Sequence, residues 1–188
     1  MNWFIAWPVQ VEPEWWESLE RPPAGIRLFH RLDLHITGVF LGNCGEKTAE
    51  AAWEAVRASP PAEMVVRAAV VRPFGPTRRF SALSLTVCDE HREVVAARMR
   101  EVQRVALHAT GVEPESREPV PHVTIARPQR HADDIARRHA LLWASRITPP
   151  ECVWNLNRLA LYTWADRRDE QLFRAVDEIE CVAEIIIL

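Results

Sequence analysis

Two short segments of this sequence place a histidine and a threonine two residues apart inside an apolar, alternating run. They are His35 and Thr37 in DLHITGVFLG, and His122 and Thr124 in VPHVTIARP. Strand alternation puts His35, Thr37, Val39 and Leu41 on one face, with Leu34, Ile36, Gly38 and Phe40 on the other. The same rule sets His122 and Thr124 against Val123 and Ile125. A purely structural strand would carry more aliphatic side chains at those positions. Seven histidines among 188 residues give only about 0.3 His-x-Thr triplets by chance. A pair of imidazoles suits the breaking of a phosphodiester, which needs a base to activate the nucleophile and an acid to protonate the departing oxygen near neutral pH. The threonine hydroxyls are suited to donate to the non-bridging oxygens, which stay negative through the transition state. No carboxylate cluster of the kind a two-metal site demands stands near either motif, so no metal and no cofactor is expected.

The elements that must hold these residues are legible in outline. Trp3 to Val9 reads as a buried strand ended by Pro8, and a short helix begins near Pro13 with Glu14 and Glu17 close to its positive end. Leu34 to Leu41 forms a strand closed by Gly42, and Glu46 to Ala58 a helix with Ala49, Ala52, Trp53 and Val56 at helical spacing. Met64 to Val71 and Phe80 to Val87 read as two strands joined by the basic turn RPFGPTRR from Arg72 to Arg79. Asp89 to Ala109 repeats Val94, Val95, Met99, Val102 and Val105 at helical spacing and stops at Gly111. A polar, proline-bearing loop leads to the strand His122 to Arg127, then a helix runs from about Asp133 to Ser145. Cys152 to Thr163 and Leu172 to Cys181 read as the last two strands. Strand–helix units alternating with hairpins, in a pattern used twice, predict an α+β fold of two related lobes with antiparallel or mixed sheets and outer helices.

Composition narrows the partners. Hydrophobic residues at 48%, charged residues at 26% and a formal net charge of −3 describe a globular chain without the cationic surplus of a protein dedicated to duplex DNA or long RNA. A small anionic ligand held by a local basic patch fits better. The cysteines Cys44, Cys88, Cys152 and Cys181 show neither zinc-ligand nor redox spacing and read as reduced thiols. The N-terminus has only seven apolar residues before Pro8 and no basic region ahead of them, and no segment is long enough to cross a bilayer. A cytoplasmic monomer is expected, without a membrane or DNA partner.

The two motif blocks resemble those of the 2H phosphoesterases, and among them the RNA 2′,3′-cyclic phosphodiesterases also called 2′-5′ RNA ligases. Phe4, Ala6 and Pro8 are similar to that family's opening strand. Leu34, His35, Thr37, Phe40, Leu41 and Gly42 are similar to its first motif block, and Pro121, His122, Thr124, Ala126 and Arg127 to its second. The resemblance runs to about residue 165. It implies one bilobal domain over 1–188, with two pseudo-symmetric sheets, a central cleft and one catalytic histidine from each lobe. It further implies hydrolysis of a 2′,3′-cyclic phosphate on RNA ends or nucleotides to a 2′-phosphate, with reversible 2′-5′ ligation. His35 is then the acid and His122 the base, with Thr37, Thr124 and Arg127 on the phosphate. Two departures stand out. Gly38 replaces the family's large aliphatic and marks either a bulge or a close backbone approach, and Asn2 and Trp3 stand where a basic residue often precedes the phenylalanine.

Around this core lie weaker candidates. Strict alternation turns Arg127 away from His122, so either the strand bulges there or Arg127 is a surface residue. Arg72, Arg78 and Arg79 read as a rim for an RNA backbone or as exposed charge. Trp3 or Trp7 is the candidate for stacking on a base, against core packing. His131, beside Arg130, is a weak substrate contact, and His30, His91, His108 and His139 read as ordinary polar residues. The alternatives to RNA cyclic-phosphate hydrolysis are cleavage of another cyclic or bridged nucleotide, or a nucleotide-binding module without catalysis. The intact His and Thr of both strands disfavour the last.

Overall fold

The computed structural model describes residues 1–112 and 118–183. The elements run in the order β1 (Trp3–Pro8), α1 (Pro13–Glu17), β2 (Ile26–Leu28), a 3₁₀ turn (Arg31–Asp33), β3 (His35–Gly42), α2 (Glu46–Ala58), β4 (Met64–Phe74), β5 (Ala82–Val87), α3 (Asp89–Thr110), β6 (His122–Pro128), α4 (Asp134–Ala144), β7 (Val153–Leu156), β8 (Arg158–Trp164) and β9 (Phe173–Glu180). Local chemistry accounts for the helix ends. Gly111 closes α3 in the left-handed conformation (φ +68°), which costs glycine little. Asp133 caps α4 by accepting from the Ala136 amide at 2.7 Å.

The strands hydrogen-bond in the order β7-β4-β5-β6-β3-β1-β8-β9, with β2 also on β6, and every named pair is antiparallel. The two sheets expected from the repeated pattern are thus the halves of one curled sheet, each with a motif strand innermost. They meet where Ile36 pairs with Val123. β2 takes the rest of that edge of β6, Arg27 opposite Arg127. The α2–α3 pair covers the face that carries Ile5, Trp7, Ile36 and Val39, all buried. Burying an isoleucine such as Ile36 contributes about 2 kcal/mol.

Three expectations change. The strand expected over Cys152 to Thr163 is two strands broken at Asn157, because β7 pairs with β4 and β8 with β1, so the chain passes there from one half of the sheet to the other. Val94 is exposed, and Ala96, Ala106 and Leu107 fill the buried stripe of α3 instead. The short β2 and the 3₁₀ turn stand where no element was expected. The polar loop expected before His122 lies partly outside the described residues.

Candidate active site

The alternation rule for β3 holds only as far as Thr37. In the β1–β3 ladder Ile5 pairs with Val39 and Ala6 with Thr37, so Gly38 is the extra residue of a β-bulge. The bulge reverses the phase beyond it. Val39 therefore joins Ile36 in the core, while Phe40 emerges on the His35–Thr37 face, 61% exposed, the reverse of simple alternation. Both readings of Gly38 apply, because a Cβ there would also stand 3.1 Å from the Trp7 ring, 3.2 Å from the Ile5 carbonyl oxygen and 3.2 Å from Val102.

β6 repeats the device. Leu83 pairs with Ala126 but Ser84 with Thr124, which leaves Ile125 unpaired. Ile125 is the fourth residue of its motif, as Gly38 is of the first. This second bulge turns Arg127 onto the face of His122 and Thr124 and answers the objection from alternation. The charge of Arg127 reaches both histidines, lowering the pKa of each.

The imidazoles are held alike. His35 Nδ1 lies 2.6 Å from the carbonyl oxygen of Asp33, and His122 Nδ1 lies 2.7 Å from that of Val120. A carbonyl only accepts, so Nδ1 carries the proton in each ring and Nε2 remains for a substrate. Aromatic walls enclose both rings. His35 packs against Phe4 (4.8 Å between centroids), Tyr162 (5.8 Å) and the edge of Phe173 (5.5 Å), and His122 stacks on Phe74 at 4.2 Å. Desolvation is the main reason the His35 pKa falls to about 4; the positive charges of His122 and Arg127 add to it, against the opposing Asp33 hydrogen bond. His122 is lowered too, again chiefly by desolvation and then by Arg127. Arg127 is itself lowered by desolvation, and its guanidinium rests over the Phe29 ring at 5.5 Å.

The threonines differ. Thr124 is buried with its hydroxyl 3.4 Å from that of Ser84, whereas Thr37 is half-buried and its hydroxyl has no hydrogen bond among the described residues. Arg72 pairs with Ser84 and so shares the Thr124 face. Arg78 turns instead toward α4, beside Asp134 and Arg138. Trp3 and Trp7 are core residues, 4% and 0% exposed, which removes both as stacking surfaces. His131 lines the same concavity as Arg127 and Arg130.

Sequence reasoning missed Asp33. This acid is 2% exposed, and its carboxylate accepts from the Leu172 amide at 3.1 and 2.9 Å and from the Phe173 amide at 2.9 Å. It thereby ties the β8–β9 connection to the segment that orients His35. An acid two residues before a motif histidine was the available signal. A larger hollow, about 570 Å³, lies beyond Pro8, but the ionisable residues of its lining are Glu12, Cys152 and Arg158, with no histidine among them, so it offers no comparable pair of imidazoles. Among the described residues no three His, Cys, Asp or Glu side chains group as metal ligands would, and no helix is long and apolar enough to cross a membrane.

A curled antiparallel sheet with four helices, the two motif strands adjacent at its centre, is a phosphoesterase architecture. Residues 7–168 match the model of the 2′-5′ RNA ligase superfamily, and the chain belongs to that family of 2H phosphoesterases. Phosphodiesterase chemistry comes with the membership. Its fold is similar to that of E. coli LigT complexed with 3′-AMP (15% identity, 96% of this chain and 98% of that one, TM-score 0.68). It is also similar to TT0787 of Thermus thermophilus (18%, 98% and 100%, 0.66) and to Kluyveromyces marxianus Usb1 (12%, 85% and 92%, 0.54). No curated protein matches it in sequence.

Proposed function

We propose that the protein hydrolyses 2′,3′-cyclic phosphates, on RNA ends or nucleotides, to 2′-phosphates without a metal, and that the same site runs the reverse 2′-5′ ligation. The reading takes residues 1–188 as one bilobal domain acting as a monomer in the cytoplasm. The observation that carries it is the matched pair of histidines, each with Nδ1 bound to the carbonyl two residues earlier and Nε2 without a hydrogen bond among the described residues.

In this scheme Nε2 of His122 takes a proton from water as the water oxygen attacks phosphorus. Nε2 of His35 gives a proton to O3′ as the P–O3′ bond breaks, leaving the phosphate on O2′. Thr37, Thr124 and Arg127 hold the non-bridging oxygens, where charge is greatest in the transition state. Because His35 is neutral near pH 7 in the free protein, it takes up its proton with the anionic substrate, whose charge opposes that of Arg127.

The deciding experiment incubates purified protein, with EDTA present, with nucleoside 2′,3′-cyclic phosphates, RNA ending in a cyclic phosphate, and 2′-5′-linked dinucleotides. Cleavage of the first two to 2′-phosphates supports the reading. Cleavage confined to other cyclic or bridged nucleotides moves the activity to a different substrate, and binding without turnover of any of them replaces it with a sensing role.

A further inference from the structure

Beside the two histidines lies a concavity of about 390 Å³ whose walls include the cations Arg27, Arg127 and Arg130 and the rings of Phe29, Trp164 and Phe173. Arg27 and Arg127 are direct partners across β2 and β6, so their side chains leave the same face of the sheet. Like charges placed opposite one another destabilise a strand pair. Among the described residues neither has a carboxylate within ion-pair distance, and Arg130 has none either.

Uncharged groups hold Arg27 and Arg127 in place instead. Arg27 donates to the backbone carbonyl of Arg168, Arg168 itself lies over the Trp164 ring at 5.2 Å, and Arg127 lies over Phe29. Each guanidinium keeps several N–H donors unused, because a guanidinium has five. A cluster of cations without counter-ions among the described residues suits an anion, and planar guanidinium forks suit phosphate. One phosphate does not use them all. Arg127 acts on both histidines and belongs to the reacting phosphate, which leaves Arg27 and Arg130 for another.

Resting on the function proposed above, we infer that Arg27 and Arg130 bind a second phosphate of the substrate, the phosphodiester on the 5′ side of the nucleotide whose cyclic phosphate reacts. The preferred substrate is then the end of a chain rather than a lone nucleoside cyclic phosphate.

Equilibrium binding tests the subsite apart from turnover. The probes are adenosine 2′-monophosphate, adenosine 2′,5′-bisphosphate and a diadenylate ending in a 2′-phosphate. The added phosphate is expected to tighten binding at least about 10-fold in both larger probes, the scale of one charge-assisted contact. Arg27→Gln and Arg130→Gln should each cut that gain to about 3-fold or less. Arg130→Gln removes a side chain without a partner among the described residues, so it reports even if Arg27→Gln disturbs the Arg168 loop. Equal binding of all three probes, or a gain that survives both substitutions, overturns the subsite. A gain seen only with the bisphosphate overturns the chain-end preference. If the subsite behaves as expected while cyclic phosphates are not hydrolysed, the proposed activity fails and the subsite stands.

Discussion

Ile36 pairs with Val123 at the junction of the two halves of the sheet, and both side chains are fully buried. His35, Thr37, His122 and Thr124 flank that pair on the two strands and leave the sheet on the face opposite Ile36 and Val123. Two motifs distant in the sequence are thereby brought side by side. Substituting His35→Ala or His122→Ala should each lower kcat by at least about 100-fold, the scale of a lost general acid or base. The double variant should be little worse than either single one, because in the proposed scheme both serve the same displacement at phosphorus. Either single variant with near-full turnover of a cyclic phosphate would take that histidine out of the mechanism.

The two hydroxyls differ in what they lose. Thr37→Val removes a hydroxyl with no partner among the described residues and should lower kcat about 10-fold or more with thermal stability unchanged, as for a lost transition-state donor. Thr124→Val also breaks the buried contact to Ser84, so it should lower both activity and Tm. Steady-state kinetics and thermal melts on the same preparations separate the two; a Thr37→Val enzyme of wild-type kcat would show that its hydroxyl does not meet the phosphate.

The pH profile follows from the depressed histidines. Turnover needs the pair to share one proton; in the free protein that proton rests mainly on His122, and the reactive form that carries it on His35 is a fixed fraction of the singly protonated state. Below about 4, where His35 titrates, both carry protons and the base is gone. Above the lowered pKa of His122 both are neutral and the acid is gone. Since kcat/KM reports the free protein, its maximum should fall between about 4 and the ordinary histidine value of 6.5. Arg127→Gln removes a charge that lowers both rings, so the maximum should move to higher pH while its height drops about 10-fold or more with the lost phosphate contact. A maximum on the alkaline side of neutrality, or one that Arg127→Gln leaves in place, contradicts this assignment.

Much of this was readable in the sequence because it depends on local pattern. His-x-Thr in an apolar run fixes two side chains on one face, and the apolar stripe of Glu46 to Ala58 fixes α2. What was not readable depends on a partner strand. Gly38 and Ile125 are bulged because of what β1 and β5 do opposite them, so the emergence of Phe40 and Arg127 could not follow from alternation. Trp3 and Trp7 resemble stacking surfaces in a list of residues near the motif, but the helices that bury Trp7 come from residues 46–110. Asp33 reads as a loop acid until Leu172 and Phe173, about 140 residues later, supply the amides it accepts from.

Gly38 tests the bulge directly. In Gly38→Ala the new methyl meets the Ile5 carbonyl oxygen at 3.2 Å, and a backbone atom in a buried strand yields less readily than a side chain. The substitution should cost about 1–3 kcal/mol, as overpacking does, read as a lower urea midpoint with an unchanged slope. Since the same bulge sets the course of β3 next to Thr37, kcat should also fall. A stable Gly38→Ala protein of unaltered kcat would mean that the strand tolerates a side chain there and that glycine is not required for the turn of phase.

Asp33 is a positioning residue with two separable duties. Its carbonyl fixes the His35 tautomer, and its carboxylate holds the Leu172 and Phe173 amides, so that the Phe173 edge stays 5.5 Å from the His35 ring. Asp33→Asn keeps the carbonyl and the shape but replaces one acceptor oxygen by an NH2 that faces amide donors. Losing a charge-assisted bond of this kind costs about 1.5–3 kcal/mol, which a denaturant melt should register. With the Phe173 wall loosened, water gains access to His35 and its pKa should rise from about 4 toward the ordinary value. The acid limb of the pH profile should then move to higher pH, and the His35 ring resonance should titrate with it. Loss of stability alone, with that limb and titration unchanged, would confine Asp33 to holding the fold.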